Sequence, residues 1–562
     1  MKWFAKLLVM LVVASLLVVP FAGTVAANEP PTQEEVKEAI DKGVAWLLDQ
    51  QNLEDPDDIQ YGSWGDWEQV AVTAFAVKKL EHYAIDKKYG LELDSPFDAL
   101  YADQLQAGLN FLFANAHVIT VGTQTHDGKI DDPDTDGDGK GVYFETNLWN
   151  RTYSSGIALM AIAESTTPDR VVDVPDSPVD GWTYEEVAQD TLDYLAWGQT
   201  DSGSGRGGWI YNEVDNASGW SDNSNTGYAV LGLQYAEAPL ESREGFGLTV
   251  PTWVKDELEI WVKYIQCTVS GPDHGGSGYT IPCDWVNILK TGNLLKELEF
   301  VGAPETDTRV QAALAYLCRH WSDANQDPGW RGDMGLDDDS DGLVDEDPIN
   351  GMDDDADGLF DEDPGLPASY QTMYATMKGL ASFPIHEFCD PPIDWQADFE
   401  TVLLEQQLDD GSWPQTNWDY GTKPILSTIW ALLTLEKVVP PLEVVIDIKP
   451  GSYPNSINLD SKGVIPVAIL TTDAAVGEPV TFDATTVDPE TVLFGPGKAA
   501  PVHYALEDVD NDGDIDMILH FKTQETGITA GDTEATLTGE TVDGRQFFGT
   551  DSVRIVPPKG KP

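Results

Sequence analysis

The chain has 562 residues, enough for several domains and a large buried core. Its formal charge of −65, from 97 acidic against 32 basic residues, excludes nucleic acid as a partner, because phosphates would be repelled. The acid is concentrated around Asp127 to Asp138, Asp333 to Asp363 and Glu507 to Asp516, a pattern suited to partial neutralisation by divalent ions; the excess would also suit a high-salt habitat.

Residues 1–27 have the three parts of a secretion signal: Lys2 and Lys6, an apolar run from Leu7 to Val19, and small residues at Val25-Ala26-Ala27. The alternative is an uncleaved anchor, for which the run falls short of the ~20 apolar residues of a bilayer span. No second segment is apolar enough to cross a membrane. The expectation is a secreted, extracellular chain with no membrane span after cleavage.

From Thr32 to about Val438 the pattern is one of paired helices. First members carry apolar residues at helical spacing, as in Ile40, Val44, Leu47 and Leu48, or Leu105, Leu109, Leu112 and Phe113. Val310, Leu314, Leu317 and Cys318 repeat the pattern, Phe399, Val402 and Leu403 keep part of it, and Tyr184–Gln199 and Val254–Gln266 are two more candidates. Second members are rich in small residues that let helices approach closely: Ala71, Ala74 and Ala76; Gly156, Ala158, Ala161 and Ala163; Gly227, Ala229 and Gly232; Ala375, Gly379 and Ala381. With Asp284 to Phe300 and Thr428 to Val438 as further second members, about six pairs result, a repeat of ~50 residues lengthened by insertions. A glycine-tryptophan turn recurs between the members, as Gly62-Ser63-Trp64, Gly207-Gly208-Trp209, Gly329-Trp330 and Gly411-Ser412-Trp413, with Gly278-Tyr279 in the equivalent slot. Several of these turns follow a glutamine: Gln50 and Gln51, Gln199, Gln266, Gln406 and Gln407.

The segment Gln407-Leu408-Asp409-Asp410-Gly411-Ser412-Trp413 resembles the QW repeat of squalene and hopene cyclases, in the terpenoid cyclase and prenyltransferase superfamily. The resemblance covers residues 32–438 and implies an all-α (α/α)6 toroid. It implies little about activity, since similar toroids serve prenyltransferases, thioester domains, vitamin carriers, polysaccharide lyases and hydrolases. One Asp-x-Asp-Asp string, Asp55-Pro56-Asp57-Asp58, copies the acid motif of class II terpene cyclases, but its proline and polar neighbours suit an exposed turn. With no thioester string and no zinc ligand set, a terpenoid cyclase-like activity is the least favoured reading.

Asp134-x-Asp136-x-Asp138-Gly139, followed by Glu145 at the twelfth position, matches the calcium loop of an EF-hand. Alternate residues of a tight loop can supply the six to eight oxygens calcium wants, and a terminal glutamate can donate two. Asp337, Asp339, Asp341 and Asp345, then Asp353, Asp355, Asp357 and Asp361, form a tandem of similar loops that resemble the calcium repeats of thrombospondin type 3. The expected ligand is Ca2+, ordering insertions in the toroid. Four cysteines suit disulfides in an exported protein: Cys267 with Cys283 across a local loop and Cys318 with Cys389 across a longer one, or else four buried thiols.

Pro440-Pro441 ends the helical region, and 439–443 reads as a linker. Across 444–557, short segments rich in β-branched residues alternate with turns: Val444 to Ile448, Val464 to Leu470, Thr491 to Phe494, Ile515 to Phe521, Ala535 to Leu537 and Val553 to Val556. They predict an all-β sandwich, similar to an accessory domain at the C-termini of exported prokaryotic proteins. A fourth acidic loop, Asp508, Asp510, Asp512 and Asp516, precedes one of its strands.

If the toroid forms, the segments entering its second helices line one mouth. They carry Trp64, Asp66, Trp67 and Glu68; Asn147, Trp149, Asn150, Arg151 and Tyr153; Trp220, Asp222, Asn223 and Asn225; His274 and Tyr279; Tyr370 and Gln371; Trp418, Asp419 and Tyr420. Aromatic faces with acids, amides and an arginine suit a sugar-binding cleft; the alternative is that the tryptophans pack the repeat and the polar groups cap helices. Two functions follow. One is a non-catalytic, calcium-binding extracellular or surface-associated protein whose partner is a glycan or a cell-surface component. The other is a secreted polysaccharide lyase or glycoside hydrolase using an acid pair in the mouth.

Overall fold

The computed structural model describes residues 30–556 apart from 127, 147–149, 213–218, 241–244, 323–328, 333, 335–364, 384, 386, 418, 420, 438–441, 473–479, 481 and 543–545. The signal segment 1–27, Trp149, Trp418, Tyr420 and the tandem loops from Asp337 to Asp361 therefore lie outside the described residues.

Two capping boxes show how the helices start. Thr32 and Glu35 open α1 (Gln33–Asp49), and Thr183 and Glu186 open α5 (Tyr184–Trp197), each pair satisfying two backbone N–H groups. With α3 (Ala102–Ala114), α7 (Thr252–Ile265), α9 (Thr308–His320) and α11 (Trp395–Gln406) these form an outer ring. Outer helices bury one face; α7 turns Val254, Leu258, Trp261, Val262 and Ile265 inward. The inner helices are α2 (Gln69–Ile85), α4 (Arg151–Glu164), α6 (Asn223–Glu237), α8 (Ile288–Phe300), α10 (Tyr370–Ala381) and α12 (Ile425–Leu435). They are buried on nearly every side, and each packs on the next, with α12 returning to α2. The result is a closed helical toroid. Small residues set its tightness: a Cβ on Gly232 of α6 would stand 2.5 Å from the Gly156 carbonyl oxygen of α4.

The glycine-tryptophan turn is a repeated latch. Trp64, Trp209, Trp330 and Trp413 are buried, and each indole N–H donates to a carbonyl at the end of the preceding outer helix, those of Leu47, Leu195, Trp321 and Leu403, at 2.7–2.8 Å. The glutamine before the turn bridges outward. Gln51, Gln199, Gln266 and Gln407 each donate to a turn glycine, Gly62, Gly207, Gly275 and Gly411, and to a carbonyl on the next outer helix, Gln104, Val254, Arg309 and Ala39. The last of these closes the ring. The turn before α8 is thus Gly275-Gly276-Ser277 rather than the expected Gly278-Tyr279. Its Ser277 backbone N–H donates to the Thr291 hydroxyl, as those of Trp64, Trp209 and Trp413 donate to threonines of their inner helices. Gly207 shows why glycine is required: its φ is +87°, and a Cβ would lie 1.9 Å from the carbonyl oxygen of Glu257.

Between α3 and α4 the 134–138 stretch is a loop, as expected, framed by short strands. β1 (Ala116–Thr120) pairs antiparallel with β4 (Lys140–Phe144), and β2 (Gln124–His126) with β3 (Lys129–Asp131). β5 (Glu387–Phe388) and β6 (Ile393–Asp394) form a small hairpin before α11. Disulfides join Cys267 to Cys283 and Cys318 to Cys389.

The C-terminal region is β-rich, with β7 (Leu442–Glu443), β8 (Ile446–Ile448), β9 (Ser456–Ile457), β10 (Val464–Ile469), β11 (Val487–Phe494), β12 (Pro501–Glu507), β13 (Asp516–Lys522), β14 (Glu534–Thr541), β15 (Gln546–Ser552) and β16 (Arg554–Ile555). Two four-stranded sheets, ordered β12-β13-β10-β8 and β11-β14-β15-β7, contribute to one apolar cluster, where Phe494 meets Phe521 at 5.1 Å. β7 falls within the expected linker, pairing in parallel with β15. β12 escaped the sequence pattern because it is exposed at almost every position and so shows no alternation.

Candidate functional site

All six inner helices bring their N-terminal turns to one cavity of about 500 Å3. Its wall takes Phe75 from α2, Tyr153 from α4, Tyr228 from α6, Leu289 from α8, Gln371 from α10 and Trp430 from α12. Six parallel helix starts give the cavity a shared positive potential, which favours polar or anionic ligand groups. Toward solvent the wall is aromatic, through Trp67, Tyr211, Tyr279 and Trp285; the Tyr211 and Tyr279 hydroxyls meet at 2.8 Å. Deeper, Phe75 lies edge-on to Tyr228, Tyr374 and Trp430 at 5.8–6.3 Å.

Among the described residues, three carboxylates line the cavity: Asp66, Glu68 and Asp419. Glu68 stands immediately before α2 in the left-handed region, with φ +47° and ψ +41°, and does not cap its helix with its side chain. A non-glycine residue held there is strained by about 1–3 kcal/mol and persists only where its surroundings impose it. The Asn150 amide and the Tyr153 hydroxyl donate to its carboxylate. Burial, together with the Glu68 charge, pushes the Tyr153 phenol well up. Asp419 is buried, which raises its pKa, but backbone and side-chain donors from Thr416 and Ser427 engage it. It holds the entry to α12. Lys290 also lines the cavity, its ammonium 3.9 Å over the Trp285 ring.

The structure separates the expected ligand residues. Asp66, Trp67 and Asp419 line the cavity, as do Glu68, Asn150, Tyr153, Tyr279 and Gln371. Trp64 is a buried latch. Arg151 pairs with Glu145 at 3.0 Å and lies over the Tyr143 ring. Trp220 is half-exposed outside the lining, and Asp222 is the buried N-cap of α6. Tyr211, Tyr228, Trp285, Lys290 and Trp430 also line the cavity and were not expected there. Tyr228 and Trp430 sit more than one turn inside their helices and Lys290 in the first turn of α8, positions where an apolar or amphipathic residue reads as core.

The acidic loops form carboxylate groups able to hold a metal ion. Within each group, oxygens of all members lie within 4.8 Å of one another. Asp508, Asp510 and Asp516 make one group; Asp512 lies outside it. At the insertion, Asp134 and Asp136 group with Asp193, and Asp136 and Asp138 with Asp190; both added acids belong to α5. Burial raises Asp190 to about 8, helped by the charges of Asp138 and Asp136, and raises Asp193 to about 7 against donors from Thr135 and Gln189. Glu145 lies elsewhere, buried against Arg151.

The opposite end of the inner ring holds a buried charge network that the sequence pattern did not reveal. Lys78 contacts Glu164, Lys79 contacts Glu436, and His82 bridges Glu164 and Asp86 at 2.9 and 3.2 Å. Lys378 donates to the Tyr235 hydroxyl at 2.9 Å. Burial works against the charged form of His82, but the hydrogen bonds its ring N–H groups donate to Asp86 and Glu164 carry it to about 10. Placing these cations in the C-terminal halves of inner helices opposes the helix dipoles.

No family model matches the chain, and no curated protein does. Among solved structures, the GH76A α-1,6-mannanase of Salegentibacter sp. HEL1_6 aligns at a TM-score of 0.39 and 11% identity, covering 72% of this chain and 98% of that one. An inactive variant of it in complex with α-1,6-mannotriose aligns at 0.40 and 10% identity, and another in complex with α-1,6-mannotetrose at 0.38 and 11%, with the same coverages. These likenesses are weak, and the functional reading rests on this chain's own cavity. Among the described residues, no helix is long and apolar enough to cross a membrane.

Proposed function

We propose that this chain is an exported, calcium-stabilised toroid that binds a glycan in its central cavity. The observation that carries this is the wall itself, where Trp67, Tyr153, Tyr211, Tyr279 and Trp285 surround carboxylates and amides at six helix starts. Sugar rings present apolar faces to aromatic rings and hydroxyls to acids and amides, so the wall suits both sides of a pyranose. Export rests on the residues 1–27 pattern, and calcium on the four aspartate loops. The two sheets over one core are read as a sandwich carrying the last of those loops.

A second reading, glycoside hydrolysis, is favoured by Glu68. Its carboxylate is held on the cavity wall by Asn150 and Tyr153 in a strained backbone, with Asp66 and Asp419 lining the same cavity. Glu68 would be the acid or base and Asp66 its partner. A glycan array followed by a product assay on the positive glycans separates the two readings. Binding that persists in Glu68→Gln without reducing ends in the wild type supports binding alone. Reducing ends that vanish in Glu68→Gln establish hydrolysis, and an array with no positive glycan overturns both.

A further inference from the structure

We infer that Asp190 and Asp193 of α5, together with Asp134, Asp136 and Asp138, form a divalent-cation site that pins the α3–α4 insertion to the outer ring, with Glu145 playing no part in it. This rests on the calcium reading of the aspartate loops and changes which residues carry it. The loop motif alone points to Glu145 as the twelfth-position ligand. That carboxylate is committed to Arg151 at 3.0 Å and is absent from both insertion groups. Two acids one helical turn apart on α5 take its place.

The observation that singles out a ligand is Asp190. It is 2% exposed, and its Oδ2 has no hydrogen-bond partner. An oxygen of the same carboxylate lies within 4.8 Å of oxygens of Asp136 and Asp138. A buried carboxylate oxygen facing two others costs free energy unless a cation stands among them. Asp193 is better satisfied, accepting from Thr135 at 2.7 and 3.1 Å and from Gln189 at 3.0 Å, which aligns the loop on the helix. The two groups share Asp136 and hold five carboxylates between them, and the Lys140 ammonium contacts one of these, Asp138. The donors are oxygens without a nitrogen or sulfur among them, the set a hard cation such as Ca2+ takes in flexible coordination.

The site would add a metal link to contacts the insertion already makes with α5, where Tyr143 of β4 stacks on Tyr194 at 5.2 Å. The Asp134–Asp138 loop follows the β2–β3 hairpin, and α5 belongs to the next pair of helices. A loop whose calcium ligands all lay within it would order only itself. One that borrows ligands from α5 fastens the insertion to the toroid wall.

The test is calcium titration by calorimetry on the full chain stripped with EDTA, comparing wild type, Asp190→Asn/Asp193→Asn and Glu145→Gln. The double variant is expected to bind at least one calcium fewer than wild type, and Glu145→Gln as many as wild type. A double variant with the wild-type stoichiometry, or a Glu145→Gln protein that loses a site, overturns the assignment while leaving the calcium reading intact. A wild type that binds no calcium removes the calcium reading, and this assignment with it. Folding is controlled by melting in EDTA, where relieving the repulsion is expected to leave the double variant as stable as wild type or more so; a lower melting temperature counts against the proposal. As a second readout, calcium is expected to protect the 127–139 segment of wild type from limited proteolysis, and to give Asp190→Asn no such protection.

Discussion

The side-chain amide of Gln407 donates to the carbonyl of Ala39 at 2.8 Å, joining positions 368 residues apart, and to that of Gly411 at 3.0 Å. The bond seats the sixth pair of helices on the first. Gln407→Ala is expected to cost about 1–3 kcal/mol of unfolding free energy, the range for leaving buried backbone acceptors unmet. Urea denaturation checks this, and a change within ±0.5 kcal/mol, as at an ordinary surface site, would show that the ring does not depend on it.

Gly207 and Gly181 separate two costs of a side chain. Both have positive φ, +87° and +82°, but a Cβ at Gly207 meets the Glu257 carbonyl oxygen at 1.9 Å, whereas one at Gly181 meets nothing within 4 Å. Gly181→Ala is expected to cost about 1–2 kcal/mol, the left-handed backbone penalty alone. Gly207→Ala should cost more than about 3 kcal/mol, because the outer helices must also part. Thermal melts of the two variants side by side decide it.

His82 makes the toroid sensitive to alkali. Its folded pKa of about 10 lies above the ordinary 6.5, so its contribution is fully present below pH 6.5 and is lost as pH rises through about 10. The melting temperature is expected to fall between pH 7 and pH 10, and His82→Gln should flatten that fall while lowering stability at neutral pH. An unchanged pH profile in the variant would assign the fall to other groups.

The two disulfides differ in what they constrain. Cys318–Cys389 spans 71 residues and Cys267–Cys283 spans 16. By chain entropy the longer should contribute about 4 kcal/mol and the shorter about 3. Replacing each pair by serine and measuring unfolding should show the larger loss for the longer bridge.

Trp67 offers a test of the cavity that folding does not confound. It lines the cavity yet is 54% exposed. Trp67→Ala is expected to shift stability by less than about 1 kcal/mol. Affinity for any glycan found on the array should fall about tenfold or more, the loss expected when a stacking ring is removed. Parallel loss of both would make Trp67 a packing residue.

The repeat was legible because its parts recur in phase. Gln199, Gly207 and Trp209 are each explained by a local backbone partner, and the same three residue types return at Gln407, Gly411 and Trp413. The mouth was legible in part. Asp66, Glu68 and Tyr153 enter helices where loop polarity shows, but Tyr228 and Trp430 look like core until the ring is closed. Trp64 was misplaced for the converse reason: its indole serves the preceding helix end, a direction that spacing does not carry. The Lys78–Glu164 contact was hidden because it joins two helices whose small residues announce burial and say nothing of charge. Glu145 fitted a motif, but Arg151, six residues on at the start of α4, pairs with it instead, a turn of the chain that the motif does not carry.

The closed ring has a consequence for how the chain acquires its cavity. Asp419, Leu426 and Trp430 belong to the last pair of helices, and α12 is the neighbour of both α10 and α2. Until Leu435 has left the ribosome, the first five pairs can form only an open arc, with apolar flanks of α2 and α10 uncovered. Such an arc is prone to association, and closing it brings together segments separated by most of the domain. Completion of the cavity wall is thus the final event in the folding of this toroid, and no truncated arc would possess it.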